Sequence, residues 1–132
     1  MLRLIDTNIA ILLRDLDGST TQRIALLDEL PLLSVVSLVE LEGGAAASGD
    51  SLRRRRQQKI LSSMEVLSFG EAEATAYGQI VAALGFSRRR IVDRMIAAQA
   101  LVAGAALATL NPRDFRDVPG LQIDDWTRAA SG

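Results

Sequence analysis

Apolar positions in this chain fall in short runs that alternate with longer segments of helical spacing. Leu2, Leu4 and Ile5 predict a buried strand over residues 2–5, and Ile9, Ile11, Leu12 and Leu13 continue as an apolar helix ending near Arg14. Asp15-Leu16-Asp17-Gly18 reads as a loop. Ser19-Thr20-Thr21-Gln22 has the form of a capping box, so a helix is expected through Ile24, Leu27 and Leu30 until Pro31 stops it. Residues 32–36 predict a second strand. Ser37-Leu38-Val39-Glu40 then opens a helix that carries Leu38, Leu41 and Ala45 towards Gly49.

Asp50-Ser51 is a cap for a further helix over residues 52–63, and residues 65–67 predict a third strand. Ser68-Phe69-Gly70-Glu71 is again a capping box, ahead of the clearest amphipathic segment. There Ala72, Ala76, Ile80 and Ala83 recur at helical spacing, with Tyr77, Val81 and Leu84 beside them, until Gly85. Ser87-Arg88-Arg89-Arg90 is a basic connection. Residues 91–103 predict a helix with Ile96, Ala100 and Ala103 as a narrow apolar stripe, and residues 105–110 a fourth strand. Asn111-Pro112 and Pro119-Gly120 are turns, with residues 121–123 as an edge strand. Strands alternate with helices and no tight hairpin joins two strands, which predicts an α/β domain with a largely parallel sheet covered on both faces. Residues 1–132 read as one domain without repeats or linkers.

Composition sharpens this picture. At 132 residues the chain is long enough for a sizeable core, and with 48% apolar but only 4% aromatic residues that core is aliphatic. The absence of cysteine excludes disulfides and thiolate metal sites, and the absence of histidine excludes Ser-His-Asp chemistry and His-ligated zinc. Carboxylates and a bound metal are then the instruments left to an enzyme. The formal net charge of −1 provides no global field for nucleic acid, although the arginines are clustered. Asp6 interrupts any signal-peptide pattern, and no run approaches the roughly 18 apolar residues of a membrane span. A soluble cytoplasmic protein is expected.

Four acids sit where such a sheet can bring them together. Asp6 follows the first strand, Glu40 lies in the first helical turn after the second, and Asp114 follows the fourth. Parallel strands emerge at one edge, which collects these three; Asp93 joins them if its helix starts at that edge. Each has a structural explanation of its own. Asp6 caps a helix, Glu40 completes a capping box with Ser37, Asp93 complements a helix dipole and Asp114 is a solvated loop residue. A convergent set of carboxylates repels itself unless a hard cation neutralises it, which points to Mg²⁺ or Mn²⁺. A carboxylate-held metal pair about 3.5–4 Å apart activates water against a phosphodiester without His or Cys. Thr7 and Asn111 are placed to orient ligands or waters around it, and Thr7 and Asn8 also have a capping explanation.

Asp6-Thr7-Asn8, Val36-Ser37-Leu38-Val39-Glu40-Leu41, Asp93-Arg94-Met95-Ile96-Ala97-Ala98 and Thr109-Leu110-Asn111-Pro112-Arg113-Asp114-Phe115 resemble, in order and spacing, the successive motifs of PIN-domain ribonucleases. The chain is similar in particular to the VapC toxins of type II toxin–antitoxin pairs, over nearly its whole length. The resemblance implies a three-layer α/β/α fold with a central five-stranded parallel sheet, and a Mg²⁺-dependent endoribonuclease. It also implies a homodimer neutralised by a small VapB-like antitoxin. Asp6, Glu40 and Asp93 match the three core acids and Asp114 the more variable fourth. Asn111 occupies a place where some members carry that acid. Arg94 stands where a small or apolar neighbour of the third acid is expected, either contacting RNA phosphate or facing solvent.

The remaining arginines divide by position. Residues 53–56 are consecutive and spread around a helix, which favours a solvated surface over an RNA contact. Arg88 and Arg89 precede the Asp93 helix and form a basic rim suited to RNA phosphates. Two other functions fit a small α/β domain with a strand-end aspartate. A receiver-like phosphoacceptor lacks support, since no acidic pair precedes Asp6 and the sole lysine is Lys59. The other is a catalytically inert PIN-like binding module.

Overall fold

All five strands of the computed structural model, which describes residues 1–128, run in the same direction. They are β1 (Arg3–Ile5), β2 (Leu32–Ser34), β3 (Glu65–Leu67), β4 (Ala106–Thr109) and β5 (Ile123–Asp125), in the order β3-β2-β1-β4-β5. Ile5 is in register with Leu33 on one side and Ala108 on the other. Side chains alternate across the sheet. Leu4, Leu32 and Leu107 enter one core, while Ile5, Leu33 and Ala108 enter the other. With both faces covered, the inner strands are apolar almost without interruption.

Six helices cover those faces: α1 (Thr7–Arg14), α2 (Gly18–Ala25), α3 (Val35–Ser48), α4 (Ser51–Leu61), α5 (Glu71–Leu84) and α6 (Ile91–Ala103). Ile80 of α5 and Ile96, Ala97 and Ala100 of α6 pack with Leu4 and Leu107. On the opposite face Ile9 and Ala10 of α1 and Leu41 of α3 pack with Ile5 and Leu33, and Ile24 of α2 and Leu61 of α4 close that layer. The result is the expected α/β/α arrangement.

Strand order fixes where a ligand belongs. The chain leaves β1 outward through β2 and β3, then returns to β1's other side with β4 and β5, so the direction of winding reverses beside β1. In open α/β sheets ligands bind at such a point, beyond the strands' carboxyl ends. Only Gly104 and Ala105 separate α6 from β4, and Gly104 takes the left-handed conformation that ends the helix (φ +65°). A helix that feeds the start of β4 through two residues must itself begin at the carboxyl edge of the sheet. Asp93, in its first turn, is thereby delivered to that edge.

Several local expectations are corrected. The cap of α2 is Asp17, whose carboxylate accepts from the Thr20 amide at 3.0 Å, so Ser19 lies inside the helix. That helix closes at Ala25 through a tightened Leu27-to-Ile24 bond, leaving Leu26 and Leu30 exposed. The Ser34 hydroxyl accepts from the Val36 amide, which ends β2 there and puts Val35 and Val36 into α3. Gly70, not Ser68, caps α5, without a side-chain bond. The buried face of α5 is centred on Ile80 with Ala76, Tyr77 and Leu84, whereas Ala72 and Ala83 are exposed. Helix α6 is buried nearly all round, not along a narrow stripe. Even its Gln99 is buried, with its amide donating to the carbonyls of Leu67 and Ser68 and its oxygen accepting from Ser34. The edge strand β5 begins two residues later than expected.

Candidate functional site

Beyond the carboxyl ends of β1 and β4 lies a cleft of about 580 Å³ whose walls include Asp6, Glu40, Asp93 and Asp114. All four acids singled out in the sequence face this one space. Thr7, Asn8 and Asn111 line it too, together with Arg14, Arg53 and Arg89.

Asp6 does two jobs at once. It is the cap of α1, with Oδ1 accepting from the Ile9 amide at 3.0 Å, and Oδ2 accepts from the Thr109 hydroxyl at 2.6 Å. Thr109 is fully buried at the end of β4, and its oxygen in turn accepts from the Asn111 amide. Burial raises the Asp6 carboxyl above the ordinary carboxylate range, while the Thr109 hydroxyl and the neighbouring amides oppose that rise. Capping and site duty are not exclusive here. Thr109 is a site residue that the sequence reading passed over; its one signal was a hydroxyl at the end of the strand beside β1.

Glu40 lies in the second turn of α3, because that helix starts at Val35, and its pairing with Ser37 in a capping box is ruled out. The Thr7 hydroxyl donates to Glu40 Oε1 at 3.0 Å, and the fully buried Ser37 hydroxyl lies 2.7 Å from Thr7 Oγ1. Since Thr7 gives its proton to Glu40, Ser37 donates to Thr7. This chain orients the Glu40 carboxylate and occupies the Thr7 hydroxyl in place of a capping role.

Asp93 is half-buried, and among the described residues no donor reaches its carboxylate. Burial first, then Asp114, raises its carboxyl above the ordinary range; Asp6 and Glu40 add to the effect and Arg90 opposes it. Asp114 lies beside Arg90, whose Nη1 donates to the Asp114 carbonyl at 3.0 Å and sits 3.5 Å from Oδ1. Arg90 thus anchors the loop that carries the fourth acid.

The arginines need reassignment. Arg94 is no RNA contact. It is 5% exposed, its Nη1 donates to the Gly85 carbonyl at 2.8 Å, and its Nη2 lies 3.6 Å from Asp117. It ties the end of α5 to the segment following Asp114. Arg94→Ala is therefore expected to lower stability by about 2 kcal/mol, through lost packing and an unpaired carbonyl. Chemical denaturation tests this, and an unchanged midpoint would contradict it. Arg89 lines the cleft, whereas Arg88 is exposed and does not contribute to its walls. Arg53, grouped above with a solvated run, does.

The donor set is all oxygen and suits a hard cation. Among the described residues, no three acidic side chains are drawn together closely enough to hold an ion directly. Mg²⁺ keeps several of its waters and takes only one or two carboxylates, so two of these acids would suffice to hold it. Asp93, with free lone pairs and three acidic neighbours, is the group most in need of a positive charge.

Comparison with known proteins adds an independent line. A family model described as the PIN domain matches residues 3–121. The tRNA(fMet)-specific endonuclease VapC of Shigella flexneri is 34% identical over 128 residues, covering 94% of this chain and 97% of that protein. The solved structure of DNA-bound VapBC from Salmonella typhimurium matches with a TM-score of 0.78 at 30% identity, over 96% of this chain and 99% of that one. VapBC-1 from nontypeable Haemophilus influenzae matches with a TM-score of 0.76 at 27% identity, over 97% and 100% of the two chains.

Proposed function

The chain belongs to the PIN-domain family, and from that premise we propose that it is a metal-dependent endoribonuclease toxin whose active centre is the four-acid cleft and whose inhibitor is a VapB-type antitoxin. The observation that carries the catalytic part is the convergence of Asp6, Glu40, Asp93 and Asp114 on one cleft at the reversal point of the sheet. Relatives named as endonucleases, and similar chains solved in VapBC complexes, support the activity and the partner.

In this reading Asp6 and Asp93 are the principal ligands for Mg²⁺, with Mn²⁺ as the alternative, and Glu40 and Asp114 complete the ring through water. When bound, the ion supplies an activated water and charge neutralisation at a phosphodiester. The rest belongs to the chain. Thr109 and the α1 amides fix the Asp6 carboxylate, Thr7 with Ser37 fixes Glu40, and Arg90 anchors Asp114. Such held ligands cost little reorganisation when substrate arrives. Asn111, at the cleft wall beside Thr109, orients a water or a substrate oxygen. Arg89 on the rim meets RNA phosphate, with Arg88 outside it adding only screened attraction.

No described helix is long and apolar enough to cross a membrane; a cytoplasmic location and a homodimer belong to the same proposal. Family membership displaces the receiver-like reading. The purified chain, free of partner, is expected to cut labelled single-stranded RNA with Mg²⁺ and to stop when chelator is added. Cleavage that persists in chelator contradicts the metal mechanism, and no cleavage with either ion favours the inert binding module.

A further inference from the structure

Arginines stand in and around the acidic cleft, and they differ in how they are engaged. Arg14 is 2% exposed and gives its Nε to Asp15 at 2.9 Å. Arg90 is committed to Asp114, and Arg94 to Gly85 and Asp117. Arg94 Nε is also buried without a partner, but its other nitrogens are engaged. Among the described residues the Arg89 and Arg53 side chains make no hydrogen bond or ion pair, and of these two it is Arg53 whose Nε is buried without a partner. It projects from the first turn of α4 along α3, where its Nη2 lies within 3.8 Å of the place a side chain on Gly44 would occupy. Gly44 is itself part of the cleft wall.

Arg53 also lines an adjoining depression of about 220 Å³, with Arg14, Arg56, Asp15 and Asp50. Asp15 is engaged by Arg14, and Asp50 caps α4 through the amides of Leu52 and Arg53. Three guanidiniums against two occupied carboxylates leave this depression with a surplus of positive charge directly beside the acidic cleft. Arg53 is half-buried, and its buried, idle Nε is costly unless something fills it. A planar fork of N–H donors matches a phosphate.

We propose that Arg53 is a substrate-positioning residue that grips a backbone phosphate of single-stranded RNA next to the scissile one, steering the strand from the acidic cleft into the Arg14–Arg56 depression. This rests on the ribonuclease reading of the cleft. A neutral alternative is local: Gln57, one turn on, has a buried Oε1 without a partner and can meet Arg53 Nε through a water. In that case Arg53 only braces α4.

The two are separable with Arg53→Ala and Arg53→Lys in the full chain. For an RNA that wild type cuts, Arg53→Ala is expected to raise KM about tenfold, the scale of one charge-assisted bond, with a much smaller change in kcat. Arg53→Lys restores part of that loss. In chelator, where nothing is cut, the slope of log Kd for the same RNA against log salt should fall by about 0.7, the value for one phosphate on a single strand. Replacing the flanking phosphate by a neutral methylphosphonate should weaken wild type and leave Arg53→Ala indifferent. Unchanged KM and salt slope in Arg53→Ala overturn the proposal, also if that variant loses a protein inhibitor, which assigns Arg53 to a protein contact. If wild type neither binds nor cuts RNA, the ribonuclease reading itself is what fails.

Discussion

Asp93→Asn is expected to cripple cleavage while making the metal-free protein more stable. Asp93 combines half-burial, three acidic neighbours in the cleft and a carboxylate without protein donors among the described residues. Its carboxyl is raised above the ordinary range, chiefly by burial and then by Asp114. Folding therefore disfavours its charged form. That penalty is present at pH above the raised folded value and is relieved as pH falls through it towards the ordinary carboxylate range. Asparagine keeps the shape and never carries the charge. In chelator at neutral pH the variant should melt higher than wild type by roughly 2–4 °C, and the gap should close as the pH is lowered. With Mg²⁺ the order reverses, because wild type gains more stability from the bound ion than the weaker-binding variant does. Cleavage should fall by about 10²–10³-fold, the scale on which one preorganised electrostatic group acts. A variant that melts lower than wild type in chelator would contradict the electrostatic part of this account.

Thr109→Val should damage the site by a different route. The Thr109 hydroxyl is the donor to the buried Oδ2 of Asp6 and also accepts from the Asn111 amide. Valine preserves the volume and removes both bonds. Leaving a buried acceptor unpaired costs about 1–3 kcal/mol of stability. The Thr109 hydroxyl also opposes the burial that raises the Asp6 carboxyl, so its loss pushes that carboxyl further up. Asp6 then accepts a proton at higher pH, and a protonated acid is a poor metal ligand. The acidic limb of the activity profile should move to higher pH, with the loss relative to wild type growing as pH falls. Thr109→Ser should restore the limb. An unmoved limb in Thr109→Val would show that Asp6 does not depend on this bond.

Much of this was legible in the chain, and the reasons are specific. Helix α6 was placed at its observed limits because a long apolar run is closed by Gly104, which terminates helices by its left-handed conformation. The acids were legible because each follows a strand or opens a helix next to one. Asp93 reaches the same edge because the short link from α6 to β4 requires that helix to begin there. Helix starts were less legible because several polar residues competed for each cap. Ser34, Asp17 and Gly70 won over Ser37, Ser19 and Ser68, and the first of these moved Glu40 from the first turn of α3 into the second. Side-chain networks were not legible at all. Nothing in the order of residues says that Thr109 reaches Asp6 across the gap between β4 and β1, that Ser37 supports Glu40 through Thr7, or that Arg94 is buried while Arg53 is idle.

The central claim is that these four carboxylates form one divalent-metal site. Mn²⁺ suits the same oxygen ligands as Mg²⁺ and is paramagnetic, so the most direct measurement is a titration of the metal-free protein followed by electron paramagnetic resonance. Wild type should remove Mn²⁺ from solution, and more completely as pH rises, since burial raises the Asp6 and Asp93 carboxyls and only their charged forms are good ligands. Asp6→Asn and Asp93→Asn should bind at least about tenfold more weakly, while Arg53→Ala should bind as wild type does. Equal Mn²⁺ binding by wild type and the two acid variants, or none by wild type, would contradict the account.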